Sequence, residues 1–508
     1  MKKELFLVVA MAVLFVVPVL YQTRHLALRL DSDYDTVLPL YGYVAQYIRE
    51  HGRIPAVFPY ADFGYPTVAD PLSAVLNPIF MVPLVLFGVD SGMSVVFVLL
   101  TIIAGISMWA LLKTLNVSGW VRVWGATLYV ISGALTARFA AGHTLFFLAY
   151  PILPLFFAAV LPAHVSVLKT LISALVITML FFSGDIYGIW FALLFLACIR
   201  GFWIVKFPKQ RKYLLIHSLG TMVLFMLFSS PKLIPVMRDI YPRMKRIFQP
   251  IFGEGSIHAI LTPLFYIVPF RETFYDRPFF RRLLGFHFNW YEYYAFISPL
   301  PFVLLLYIRK VWKKDMVRLV VVLLVMGMLY IAQRHPYSPF YWLFQAVPGL
   351  SILRVPQRMA MYAMPLVIAL CALCANGAWN MKNKRILLIV LLSGSIVWTY
   401  IVSRSAFLVA YEAPRTEEQA LVWELRKHDS SNFSVVTHVC CMQRFLVRDG
   451  ITIYNYYFPW RDKSFPDSEE VIEKLRPKYV IAKLDLDIRS KAYYPLFETR
   501  IARVWKSL

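Results

Sequence analysis

Three carboxylates alternate in Asp31-Ser-Asp33-Tyr-Asp35, directly after the first apolar run of the chain. Acids so close together repel one another, and their pKa values rise unless a cation, a metal or hydrogen-bond donors stabilise them. Such a cluster suits a general base that takes a proton from a hydroxyl, or a set of oxygen ligands for Mg2+ or Mn2+ on Asp33 and Asp35. A solvated acidic loop start has the same pattern. Asp70 follows a Gly- and Pro-rich stretch, Tyr60-Ala-Asp-Phe-Gly64-Tyr-Pro66-Thr-Val-Ala-Asp70-Pro71, whose turns are able to bring it back to the first cluster. Its other reading is a helix cap before Pro71.

Four more ionisable residues fall at the ends of apolar runs: His143 after Gly142, Asp185 in Ser183-Gly-Asp-Ile-Tyr187, Lys232 after Pro231, and Glu292 in Tyr291-Glu-Tyr-Tyr294. Ionisable groups at membrane depth are costly and mark function, although each of these is near enough to an end to be interfacial. Arg354-Val-Pro-Gln-Arg358 places two guanidiniums four residues apart, a spacing that suits a bidentate grip on phosphate. Cys371 and Cys374 lie within an apolar run and carry no redox or zinc pattern.

The elements that must position these groups are membrane helices. The chain has 508 residues, 59% hydrophobic and 16% charged, which excludes a soluble enzyme, a disordered scaffold and a disulfide-stapled secreted protein. Its net charge of +23 resembles that of a nucleic-acid binder, but a multi-span protein collects Lys and Arg in its cytoplasmic loops, so no nucleic-acid partner is expected. Met1-Lys-Lys3 before the run from Leu5 to Tyr21 predicts a first span starting in the cytoplasm; the run is too long for a signal peptide and lacks a small-residue cleavage site. Further spans are expected near 93–113, 118–136, 144–162, 170–183, 186–205, 213–230, 291–308, 317–332, 359–379 and 386–403. Segment 72–88, interrupted by Pro78 and Pro83, is read as re-entrant or interfacial. With eleven spans the turns at 113–122, Lys169, 206–212, 309–314 and 382–385 are cytoplasmic, and all are basic.

The fold class expected is therefore an α-helical polytopic membrane protein of about eleven transmembrane helices in the plasma membrane. Residues 1–403 form the membrane domain, with long extracytoplasmic loops at 22–75, 231–290 and 333–358. Within the first loop, Leu38 to Glu50 has an amphipathic pattern that suits the interface. Loops this long are uncommon unless they work. The 231–290 loop carries nine Lys and Arg against four acids, and Arg334, Arg354 and Arg358 belong to the next loop. The orientation rule does not ask for cations there; an anionic substrate such as a phosphate-linked lipid does, and so does plain headgroup contact. Residues 404–508 form a small extracytoplasmic α/β domain. Its strands are expected at 433–438, 451–456, 479–483 and 501–505, with a helix at 467–475.

The order of these motifs resembles the GT-C superfamily of polytopic membrane glycosyltransferases, in particular the bacterial and archaeal branch that decorates cell-surface polymers. It runs from an Asp-rich start of the first outer loop through Gly-x-x-Pro, Phe-Gly-Tyr-Pro-x-x-Ala-Asp-Pro, Gly-His and Tyr-Glu-Tyr-Tyr-Ala-Phe-Ile to Arg-Val-Pro-x-Arg. The resemblance covers most of the chain as layout, in short and degenerate motifs. It implies a sugar donor linked to polyprenyl phosphate or diphosphate, an extracytoplasmic acceptor, and an acidic base or metal-linked catalyst in the first outer loop. That role falls on Asp33 or Asp35, with Asp31 as the third choice. Arg354, Arg358 and Lys232 would then stabilise the leaving phosphate, and Tyr34, Tyr60, Trp290 and Tyr293 would stack on sugar rings. The alternative is a multi-span transporter or flippase of lipid-linked glycans; against it, no internal repeat is found and polarity gathers in the long loops instead of at mid-membrane.

Overall fold

The computed structural model describes residues 2–28, 32–60, 64–240, 263–269, 292, 294–332, 338–346, 355–379, 385–412, 416–437, 443–453, 477–483, 493–500 and 502–507. Asp31, Trp290, Tyr293, Arg334, Arg354 and the 467–475 helix expected from the sequence lie outside them. The helices that build the bundle are α1 (Lys2–Gln22), α2 (Asp33–His51), α3 (Pro78–Thr114), α4 (Gly119–Val130), α5 (Gly133–Ala140), α6 (Thr144–Ala149), α7 (Leu153–Val160), α8 (Val167–Phe182), α9 (Ile186–Lys206), α10 (Arg211–Pro235), α11 (Asp315–Ile331), α12 (Met359–Trp379) and α13 (Arg385–Leu408). Six described helices are long and apolar enough to cross a membrane: α1, α3, α9, α10 with its flanking turns, α12 and α13. The other apolar runs read from the sequence are shorter or broken. Of the six, α12 is almost wholly buried and forms the central post.

Three breaks differ from the spans expected, and each has a local cause. The expected span 118–136 is split between α4 and α5, because Gly133 donates its N–H to Phe296 O at 2.8 Å and a Cβ there would run into the Tyr294 ring. The expected span 291–308 is not helical at its start. Ala295 and Ile297 donate to Phe265 O and Tyr266 O, Ser298 has a φ of 73°, and helical turns begin only at Leu300. These backbone groups find their partners inside the protein, which is what irregular backbone in a bundle requires. Within 72–88 the prolines do not make the break: Pro78 opens α3 behind its N-cap Asn77, Pro83 lies within the helix, and the kink falls at Gly88, φ 77°.

The acidic cluster is likewise not a loop. Ser32 caps α2, its Oγ accepting from Tyr34 N–H at 3.3 Å, and Asp33 and Asp35 lie in the first turn, where a helix favours negative charge. The face bearing Tyr34, Leu38, Tyr41 and Ala45 is buried, as the amphipathic spacing requires. At the other end Gly52, φ 66°, closes the helix by donating to Ile48 O at 2.8 Å.

Beyond α13 the chain forms α14 (Thr416–His428), α15 (Gln443–Arg448) and a five-stranded sheet of β5 (Ser434–Thr437), β6 (Thr452–Ile453), β7 (Tyr479–Lys483), β8 (Tyr493–Glu498) and β9 (Ala502–Ser507), in the order β6-β5-β7-β9-β8. The first three strands are parallel, and β9 is antiparallel to both β7 and β8. The period-2 runs at 433–438 and 479–483 marked strands correctly, whereas β8, α14 and α15 were not foreseen. This region is tied to the first loop. β1 (Ala27–Leu28) pairs antiparallel with β4 (Tyr411–Glu412), and Ile453 N–H donates to Tyr60 O at 3.0 Å, next to the short hairpin of β2 (Val57–Phe58) and β3 (Tyr65–Pro66).

Candidate active site

The start of α2 is docked onto the turn between α5 and α6. Gly142 has a φ of 73°, and a Cβ there would lie 2.6 Å from Tyr34 N and 3.1 Å from Asp33 N, so only glycine admits this approach. Asp33 N–H donates to Ala141 O at 3.1 Å, and Tyr34 Oη donates to Phe139 O at 2.7 Å. The Gly-His dipeptide therefore places His143 directly against Asp33: Nε2 lies 3.2 Å from Asp33 Oδ2.

Behind His143 stands a buried ionic chain. Glu292 accepts from Arg138 on one side and from Arg358 on the other; Arg358 Nε lies 3.1 and 3.0 Å from the two carboxylate oxygens, and its Nη2 2.5 Å from Oε1. Arg138 also reaches His143 Nδ1 at 3.3 Å. Both guanidiniums stand over the Phe146 ring, at 5.3 and 4.4 Å, and Arg358 also over Tyr187 at 4.7 Å.

This arrangement decides the state of the imidazole. A guanidinium only donates, so Nδ1 must be the acceptor, and the ring proton resides on Nε2, aimed at Asp33. Burial lowers the His143 pKa to about 3, with Arg138 and Arg358 acting in the same direction against Glu292. The ring is thus a neutral donor to the carboxylate. Asp33 itself opens to solvent, with 60% of its side chain exposed, while Asp35 is buried. Burial against the protein wall raises the Asp33 carboxyl to about 6, with Arg358 opposing the rise and Glu292 adding to it.

Asp33 and Asp35 do not act as a pair. Two residues apart on a helix, they project about 200° from each other, so the shared metal expected from their alternate spacing does not fit the helical geometry. Among the described residues no group of three or more His, Cys, Asp or Glu is placed to hold a metal ion.

Asp70 has partners of its own. Its Oδ1 accepts from Leu72 N–H at 2.9 Å, a local turn, and its carboxylate interacts with Tyr65, Tyr41 and Lys232. Lys232 is not open to a leaving phosphate: its buried ammonium donates to Pro71 O, Ser73 O and Phe181 O at 3.0, 2.6 and 2.8 Å, which occupies its three N–H groups. It anchors the 70–77 segment to the end of α8. Asp185 caps α9 through Gly188 N–H at 2.8 Å and accepts from Tyr362 Oη at 2.6 Å, which joins α9 to α12. Gly184, φ 79°, lies against Leu72 O just as Gly142 lies against Asp33.

The described structure thus brings together Asp33, His143, Glu292 and Arg358 and sets Asp70, Lys232 and Asp185 in supporting positions. The second guanidinium of the cluster is Arg138, which the sequence reading missed. Its signal was present: an Arg four residues before Gly142, between two expected spans at an end where the orientation rule asks for no cation.

Against solved structures, the chain is similar at 12% identity to the oligosaccharyltransferase AglB of Archaeoglobus fulgidus in complex with an inhibitory peptide and a dolichol-phosphate, covering 95% of this chain and 69% of that one with a TM-score of 0.57. It is similar at 12% identity to ArnT of Cupriavidus metallidurans bound to undecaprenyl phosphate, covering 98% and 97% with a TM-score of 0.54. It is also similar at 10% identity to the mycobacterial arabinofuranosyltransferase AftD, covering all of this chain and 40% of that one with a TM-score of 0.52. No protein-family model and no curated protein matches the chain. The chain shares its fold with these three solved structures.

Proposed function

We propose that the chain is a membrane glycosyltransferase that moves a sugar from a polyprenyl-phosphate donor to an extracytoplasmic acceptor hydroxyl. One observation carries the reading: an open carboxylate, Asp33, oriented by a neutral His143, shares one ionic cluster with Arg358, whose Nη1 has no partner among the described residues. In the reaction Asp33 takes the acceptor proton as the hydroxyl oxygen bonds to the anomeric carbon. The bond from that carbon to the phosphate oxygen breaks, and the lipid phosphate leaves with the electron pair. Arg358, held by Glu292 and stacked on Phe146 and Tyr187, meets the negative charge that develops on the phosphate. The neighbours solved with dolichol-phosphate and undecaprenyl phosphate support this class of donor.

We place the site on the extracytoplasmic side with the N-terminus in the cytoplasm, on eleven crossings. The basic turns at 206–212, 309–314 and 382–385 support that orientation. Residues 1–403 are the catalytic membrane domain, and 404–508 an extracytoplasmic α/β domain covering the first loop. The test is sugar transfer by the purified chain from polyprenyl-phosphate sugar, compared with Asp33→Asn and Asp35→Asn. Transfer lost in the first and retained in the second supports the reading. Glycan-lipid transport that survives both, without transfer, overturns it in favour of a flippase.

A further inference from the structure

We propose that a phosphate-bearing anionic membrane lipid binds between α8, α9 and α10 at Arg200, at the opposite end of the bundle from Asp33. α9 starts beside Asp185 and Arg200 comes fifteen residues later, roughly 22 Å along the helix axis.

Arg200 is buried, 6% exposed, and differs from the other buried cations of the bundle. Arg138 and Arg358 share Glu292, and Lys232 is bonded to three carbonyls beside Asp70. Arg200 has no carboxylate partner among the described residues. Among the described residues its one hydrogen bond is a long one, Nη1 to Val160 O at 3.4 Å, and its buried Nε has none. A guanidinium carries five donors, so most of its capacity is unspent.

A neighbouring lysine adds positive charge. Lys169 and His217 both feel the Arg200 charge; Lys169 Nζ bonds His164 O at 2.6 Å, and His217 Nδ1 lies 2.5 Å from Thr170 Oγ1. The sixteen-residue α8 begins here at Val167, so the positive end of its dipole faces the same place. An anion balances such a group of charges.

The surroundings indicate that the anion belongs to a lipid. Val167, Leu168, Ile216 and Leu219 around the cluster are between 56% and 80% exposed, an apolar surface on which acyl chains lie. At Gly201, the next residue of α9, a Cβ would meet no atom within 4 Å, so the helix surface is open there. A cation below the interface and ringed by apolar side chains selects a phosphate that carries its own hydrocarbon over a free phosphate ion.

The experiment is native mass spectrometry of the full chain in detergent, with phosphatidylglycerol, phosphatidylcholine of matched chains, or inorganic phosphate added after delipidation. The wild type is expected to retain one phosphatidylglycerol at about fivefold higher occupancy than phosphatidylcholine and to retain no phosphate. Arg200→Met and Lys169→Gln are each expected to remove most of that preference. Lys169 is partly exposed, so its variant decides the matter if Arg200→Met does not fold. Equal retention of the two lipids, equal retention of inorganic phosphate, or a preference that survives Lys169→Gln overturns the proposal and leaves Arg200 as a cap on the end of α7. No outcome depends on the transferase reading.

Discussion

His143 Nε2 and Asp33 Oδ2 stand 3.2 Å apart, and Arg138 on the far side of the ring fixes the proton on the nitrogen that faces the carboxylate. Asp33 is therefore oriented by a donor that does not itself titrate in the working range. Asp33→Asn is expected to lower sugar transfer by roughly 10²–10⁴-fold, the usual contribution of a positioned base. Asp35→Asn, a change on the opposite side of α2, should cost far less. Steady-state rates of the two purified variants check this.

The same geometry sets a pH dependence. Asp33 accepts a proton only when ionised, and its carboxyl is raised to about 6, so transfer falls as pH drops through that value. A neutral N–H donor favours the charged carboxylate. Removing it in His143→Ala raises the Asp33 pKa and moves the acid limb of the pH–rate profile to higher pH. An acid limb unchanged between wild type and His143→Ala would contradict the assigned tautomer.

Glu292 shares its single negative charge between two guanidiniums, and Arg138 is only 2% exposed. Glu292→Gln leaves both without their counter-charge and is expected to destabilise the protein by about 3–5 kcal/mol. A thermal-melting comparison in detergent measures it. Arg358→Lys should fold better than Glu292→Gln yet lose transfer, because a lysine cannot hold Glu292 and a phosphate with one planar fork.

Gly142→Ala tests the docking of α2. The left-handed backbone costs an alanine about 1–2 kcal/mol, and its Cβ would meet Tyr34 N at 2.6 Å. The variant is expected to keep its helices by circular dichroism and lose most of its transfer activity, because the start of α2 moves off His143.

Much of the site was legible in the sequence because ionisable residues are scarce in an apolar chain. Asp33, His143, Glu292 and Arg358 were all among the candidates, together with Asp31, Asp35, Asp70, Asp185, Lys232 and Arg354. What could not be read was how they combine. Asp31, Asp33 and Asp35 look equivalent as a string, and only the Ser32 cap, by starting a helix there, turns Asp33 outward and Asp35 inward. Lys232 looked like a phosphate ligand because nothing in the sequence announces backbone carbonyls as partners. The spans at 118–136 and 291–308 were drawn as continuous because hydropathy does not register the contact between Gly133 and Tyr294 that interrupts both.

The pairing of Ala27–Leu28 with Tyr411–Glu412 has a consequence for biogenesis. As the ribosome feeds helices into the bilayer one after another, the segment leading into α2 waits for a strand almost four hundred residues downstream, and Asp33 waits for Glu292 and Arg358. A nascent or truncated product ending before residue 411 would hold Asp33, His143, Glu292 and Arg358, yet lack the strand that pairs with Ala27–Leu28 ahead of α2. The last tie on the segment leading into α2 thus arrives late in synthesis, after the helices it is tied across.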